Sequence, residues 1–136
     1  MTQVAYLDAS AMIKLARVEP HSDACRRFLS TQPTDLVSSQ IVVTETHRSL
    51  RRLADSDQPA AALDDYFQFM FLLSINEQLV RDAAALAPTT LRTLDALHVA
   101  SALRMRNQIT AFVTYDLRQA AAATLVGLPV VTPHDD

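Results

Sequence analysis

Two short apolar runs, Val4-Ala5-Tyr6-Leu7 near the start and Ala111-Phe112-Val113 near the end, each stop at a polar loop carrying an acid and lead at once into a helical pattern. A run this short, with no charged residue to mark an outward face, reads as a strand covered on both sides. Such strands, joined through helices, pack as a parallel sheet, because right-handed crossovers lay the helices on its two faces. An α/β fold is therefore expected. In such sheets polar groups collect beyond the carboxyl ends of the strands, which is where Asp8 and Asp116 fall. Strand order does not follow from the sequence, so a crevice between these two strands is an inference from their matching acidic ends.

The rest of the chain continues the alternation. Gln3 to Leu7 is the first strand, Ser10 is placed to cap a helix through Ala11-Met12-Ile13-Lys14-Leu15, and Pro20 opens a second helix to about Leu29. Asp35-Leu36-Val37-Ser38 is a second strand, and from Ser39 a longer helix carries Val42, Val43, Thr46, Leu50 and Leu53 on one stripe. After a break at Asp55-Ser56-Asp57 a helix begins at Pro59, and Phe71-Leu72-Leu73-Ser74-Ile75 is a third strand. Asn76 caps a helix to about Leu86, and Pro88-Thr89-Thr90 interrupts before Thr93 caps the helix from Leu94 to Arg106. A fourth strand ends at Thr114, Asp116 opens the last helix, Gly127 is suited to close it in a left-handed conformation, and Val130-Val131 is a short final strand.

With 136 residues the chain is expected to form one domain, residues 1–136, burying roughly two-thirds of its unfolded surface. An apolar share of 49% against 20% charged excludes disorder, and no apolar stretch is long enough to span a bilayer. The N-terminus lacks a signal-type segment and Cys25 stands alone, so the cytoplasm is the expected compartment. The net charge of −3 requires a polyanionic substrate to be met by local arginines or a bound cation.

Two further acids have neighbours unsuited to a solvent face. Asp95 lies in Leu94-Asp95-Ala96-Leu97-His98-Val99-Ala100, a helix apolar on nearly all sides. Glu45 flanks the apolar stripe of its helix, with Arg48 and Arg52 on the same side at i+3 and i+7. Taken singly, Asp116 reads as a helix cap, Asp95 as a first-turn acid and Glu45 as half of an exposed Arg pair. Together with Asp8 they form a group that would repel itself without a cation, since a buried unpaired carboxylate costs several kcal/mol. Carboxylates without clustered Cys or His ligands suit hard ions such as Mg²⁺ or Mn²⁺. His98, one turn beyond Asp95, is either a Mn²⁺ ligand or proton carrier, or a polar residue packed at a helix junction.

At these residues the chain resembles the PIN-domain family, especially the VapC-type toxins of bacterial toxin–antitoxin systems. The resemblance runs from Tyr6-Leu7-Asp8-Ala9-Ser10-Ala11, through Glu45 and Leu94-Asp95-Ala96-Leu97-His98-Val99-Ala100, to Val113-Thr114-Tyr115-Asp116 and Gly127-Leu128-Pro129-Val130-Val131. Ala9 stands where many relatives carry Thr or Ser, which removes one hydroxyl near the site. The resemblance implies a three-layer α/β/α fold around a parallel sheet of about five strands, and a Mg²⁺-dependent endoribonuclease in which Mn²⁺ substitutes. Asp8, Asp95 and Asp116 would hold the metal, and Glu45 would complete the catalytic acids directly or through water. Ser10 and Thr114 would orient ligands from behind. The implied reaction is hydrolysis of an RNA phosphodiester by metal-activated water, leaving a 5′-phosphate and a 3′-hydroxyl.

The resemblance also implies a cognate VapB-type antitoxin as partner. RNA, single-stranded or looped, would be met by arginines such as Arg48, Arg51, Arg52, Arg92 and Arg118, of which Arg48 and Arg52 flank the acids. Apolar residues on the early helices, including Met12, Leu15 and Phe28, together with the resemblance, point to a homodimer. Two alternatives stand beside this reading. One is a PIN-like interaction module without catalysis. The other is a phosphoryl-transfer domain with a strand-end aspartyl nucleophile; haloacid-dehalogenase-type enzymes need a second Asp where this chain has Ser10, and Lys14, the sole lysine, is poorly placed for receiver-type chemistry.

Overall fold

The computed structural model describes residues 2–53 and 57–136. Among these, β1 (Gln3–Leu7), β2 (Thr34–Ser39), β3 (Phe71–Leu73), β4 (Ala111–Val113) and β5 (Val130–Val131) form one sheet in the order β3-β2-β1-β4-β5. Every pairing is parallel. The helices are α1 (Ala9–Ala16), α2 (Ser22–Ser30), α3 (Ile41–Arg52), α4 (Asp57–Phe69), α5 (Glu77–Ala84), α6 (Thr93–Arg104) and α7 (Leu117–Leu125). Asp55 and Ser56 of the expected break lie outside the described residues, and Asp57 already begins α4.

Alternation along the strands builds two cores. Ala5, Leu7, Ala111 and Val113 face α1, α3 and α4, meeting Met12, Ile13, Val42, Leu50 and Leu63. Tyr6, Val37 and Phe112 face the opposite layer and pack on Val99 and Ala102 of α6 and Ala122 and Ala123 of α7. Tyr6 stacks on Phe112 at 5.2 Å between centroids, a consequence of the Tyr6–Phe112 register. Helix α5 lays Leu79 and Ala83 against Ala96 and Ala100 of α6. Sandwiched between the sheet and α5, α6 has almost no wet side, which explains its unbroken apolar sequence. This is the three-layer α/β/α arrangement expected.

Local chemistry departs from expectation at several points. Ser10 does not cap α1; the Asp8 carboxylate does, accepting from the Ala11 backbone N–H at 3.1 Å. The Ser10 hydroxyl lies inside the helix and is engaged elsewhere. Helix α2 starts at Ser22, after a left-handed His21 at φ 71°, so Pro20 belongs to the preceding turn. Arg92, with extended backbone, occupies the cap position of α6 in place of Thr93. Leu53 is half exposed and not part of the α3 stripe. Met12 and Leu15, counted above towards a dimer face, are buried within the chain, with Phe28 packed against the same core. Their apolar surface is already covered and makes no case for a second copy.

Gly127 ends α7 at φ 85°, as its position predicted. A Cβ there would meet only the Arg106 Nη2 atom, at 3.4 Å, so conformation outweighs crowding. Gly127→Ala should lower stability by about 1–2 kcal/mol, the cost of holding an L side chain in the left-handed region. Urea denaturation checks this, and an unchanged midpoint would show that the loop relaxes.

Candidate active site at the switch point of the sheet

The strand order places β1 beside β4, with β2 and β3 on one flank and β5 on the other. Here the winding direction reverses, the position at the carboxyl ends where diverging loops open a crevice in sheets of this kind. Asp8 follows β1 directly, and its N–H donates to the Val113 carbonyl at 3.3 Å, extending the ladder by one residue. Thr114 and Asp116 follow β4. Helix α6 leads into β4 and runs against it, so its first turn, with Asp95, lies at the same edge of the sheet. Glu45 reaches it from α3, which follows β2.

Asp8 is 3% exposed, and burial pushes its carboxyl above the ordinary value of 3.8. His98, Ser10, Thr114 and the Ala11 N–H work in the opposite direction. The Ser10 hydroxyl donates to Oδ1 at 2.6 Å and accepts the Tyr115 N–H at 2.8 Å. The Thr114 hydroxyl donates to Oδ2 at 2.5 Å and accepts the Asp116 N–H at 3.1 Å. Oδ1 therefore already takes two hydrogen bonds, whereas Oδ2 keeps acceptor capacity for a further partner.

Asp116 divides its oxygens in a similar way. Oδ1 caps α7 by accepting from the Arg118 and Gln119 N–H groups at 2.8 and 3.2 Å. Oδ2 accepts from Arg92 Nη2 at 3.0 Å, and Arg92 Nε donates to Asp95 Oδ2 at 3.1 Å. One guanidinium thus bridges the two carboxylates. The hydrogen bond and charge of Asp95, followed by the charge of Asp116 and with a contribution from Glu45, raise the Arg92 pKa.

His98, 1% exposed, joins the site from α6. Its Nε2 lies 2.5 Å from Glu45 Oε1 and its Nδ1 lies 2.8 Å from the Tyr6 hydroxyl. A carboxylate can only accept, so Nε2 carries a proton, and in neutral imidazole Nδ1 then accepts from Tyr6. Burial raises the Tyr6 pKa and keeps the phenol protonated. Of the two roles considered for His98, the packed polar junction matches this placement: it anchors Glu45.

Over residues 5–125 the sequence matches the PIN domain. The chain belongs to the PIN-domain family. Within that family it is 38% identical over 128 residues to ribonuclease VapC46 of Mycobacterium tuberculosis, covering 94% of this chain and 96% of the relative. Its fold is similar to the crystal structure of M. tuberculosis VapC20, a sarcin–ricin loop cleaving toxin, with a TM-score of 0.72, 18% identity and coverage of 95% and 99% of the two chains. It is also similar to a chain of VapBC-1 from nontypeable Haemophilus influenzae, with a TM-score of 0.66, 19% identity and coverage of 96% and 98%.

In this PIN domain the four acids singled out in the sequence reach one edge of the sheet, and Ser10 and Thr114 both touch Asp8. Arg48 and Arg52 are exposed on α3, and Arg52 donates to Ser49 at 3.0 Å. Arg92, grouped above with arginines for RNA, is instead committed to the acids. Tyr6 and Arg92 also belong to the site: Tyr6 reads in the sequence as a plain strand residue, while the i+3 spacing from Arg92 to Asp95 is a local signal of that pairing.

The residues present suit a hard cation. Among the described residues no three His, Cys, Asp or Glu side chains converge closely enough to chelate an ion directly. Mg²⁺, however, uses few carboxylates and keeps several waters, and Asp95 and Asp116 already converge on a positive group. That group is Arg92, and the Asp116 oxygen facing it is the one that the helix cap leaves available.

Proposed function

We propose that this PIN domain is the toxin of a type II toxin–antitoxin system and an endoribonuclease dependent on Mg²⁺, with Mn²⁺ able to substitute. The observation that carries the reading is the convergence of Asp95 and Asp116 on one cation, linked through Thr114 to a buried Asp8 at the sheet's switch point. Asp8, Asp95 and Asp116 would hold the ion, partly through bound water, and Glu45, fixed by His98, would complete the acids at its side. A bound divalent ion supplies positive charge beside the phosphodiester and lowers the pKa of water. Ser10 and Thr114 keep the Asp8 oxygens aimed, and Arg48 and Arg52 meet RNA beyond the acids. The ends released are a 5′-phosphate and a 3′-hydroxyl.

The partner is a VapB-type antitoxin. An antitoxin arginine directed at these carboxylates would have to take the place of Arg92 or of the ion, whichever occupies them. Family resemblance alone, with no support from the covered residues of the early helices, is the ground for a homodimer in the cytoplasm as the working assembly, checked by light scattering at micromolar concentration. No helix among the described residues is long and apolar enough to cross a membrane.

Purified protein should cut RNA with Mg²⁺ or Mn²⁺ and stop when a chelator is in excess, with mapped ends carrying the phosphate on the 5′ side. Undiminished cleavage in chelator overturns the metal assignment. No cleavage under any ionic condition would make the chain an interaction module that retains the fold without turnover.

A further inference from the structure

We propose that Arg92 is an internal counterion occupying the cation position between Asp95 and Asp116, so that a divalent ion binds only as the guanidinium leaves. The proposal rests on the metal reading above and adds a residue that sets how tightly the ion is held.

The geometry is specific. Nε and Nη2 lie on one edge of the guanidinium, the edge that usually grips a single carboxylate. Here its two N–H groups are split, one to Asp95 Oδ2 at 3.1 Å and the other to Asp116 Oδ2 at 3.0 Å. The second oxygen of Asp116 is held by two backbone N–H groups of α7, so a cation seeking Asp116 is directed to the oxygen that Arg92 occupies. A guanidinium and a hydrated ion cannot both fill that place.

The arginine is also built to leave. Its side chain is 61% exposed, whereas those of Asp95 and Asp116 are 12% and 28% exposed. Its backbone is the extended cap residue just before α6 and is exposed, so rotation about side-chain bonds is enough to move the charge into solvent. Without an ion, Arg92 balances two neighbouring carboxylates that would otherwise repel each other. With an ion bound, the same positive charge nearby opposes it.

The test is a titration of Mn²⁺ followed by the EPR signal of the free ion, on wild type, Arg92→Gln, Asp95→Asn and the double variant. Arg92→Gln keeps a polar side chain at the rim and removes the charge. It should bind Mn²⁺ about tenfold more tightly, because the ion no longer has to displace a guanidinium from two partly screened carboxylate contacts. Its Tm without metal should fall, and its Mn²⁺-induced rise in Tm should exceed that of wild type. Circular dichroism establishes that the variants are folded. Mn²⁺ affinity that depends on Asp95 yet is unchanged or weaker in Arg92→Gln overturns the role of Arg92 and leaves the metal reading standing. Mn²⁺ affinity indifferent to Asp95→Asn in both backgrounds overturns the metal reading and this proposal with it.

Discussion

Asp8→Asn should reduce RNA cleavage by at least about 10²-fold, the size of effect seen when a group organising transition-state charge is removed, while the metal-free protein becomes more stable at neutral pH. The activity half follows from Asp8 Oδ2, which keeps room for one more partner after accepting from Thr114. The stability half follows from burial. The folded carboxyl has its pKa raised above 3.8 by desolvation. Between that ordinary value and the raised one, the native state holds a proton that the unfolded chain has released. Stability therefore falls as pH rises through the window, and the cost is fully present above it.

Asn carries no charge and avoids that cost. Its carbonyl can still take the Ala11 N–H, so the cap on α1 survives. Thermal unfolding in chelator should give Asp8→Asn the higher Tm at pH 7.5, with the difference closing as pH approaches 4. Addition of Mn²⁺ should raise the Tm of wild type and leave the variant nearly unmoved. A variant that loses folding together with activity would make Asp8 a structural residue and sink the prediction.

The second large effect is expected at His98, whose two ring nitrogens serve residues from different layers. His98→Leu preserves volume and removes both interactions. Glu45, with its side chain 14% exposed, loses the N–H that holds it, and the Tyr6 hydroxyl, with no exposure, loses its acceptor. Ser101 and Ser38 remain near Tyr6, so the greater part of the cost falls on Glu45. A buried polar group left without a partner costs about 1–3 kcal/mol, and a drop of that size in urea-unfolding free energy is the expected result. Glu45→Gln in the His98→Leu background should recover part of it, because the stranded charge is gone; a double-mutant cycle reads that coupling. Additive losses would show that the two residues do not act together, and a change below about 0.5 kcal/mol would place His98 among ordinary surface substitutions.

The site was readable in the sequence wherever a residue's role depends on its immediate neighbours. Apolar runs followed by Asp8 and by Thr114-Tyr115-Asp116, the full burial period of α6 and the single glycine closing α7 all follow from periodicity and turn chemistry within a few positions. Those patterns were enough to place the strands within a residue or two and to single out all four acids. Recognition of the PIN domain rested on the same short stretches, in their order along the chain.

What those patterns lacked was distance. The Asp116 partner of Arg92 is 24 residues away, the Glu45 partner of His98 is 53, the Tyr6 partner of His98 is 92 and the Thr114 partner of Asp8 is 106. Each pairing exists because the sheet runs β3-β2-β1-β4-β5, and that order comes from burying two faces at once. Packing also decided between candidates that local preference ranked the other way. Ser10 is an adequate cap by type, yet its hydroxyl is drawn to Asp8 and Tyr115 across the β1–β4 edge, and Asp8 caps in its stead. Met12 and Leu15 appear surplus in a helix read alone and are buried once α3 and α4 close over them. Local rules specify which residues are helical or extended; only three-dimensional closure brings one charge against another, and the chemistry of this crevice depends on those charges.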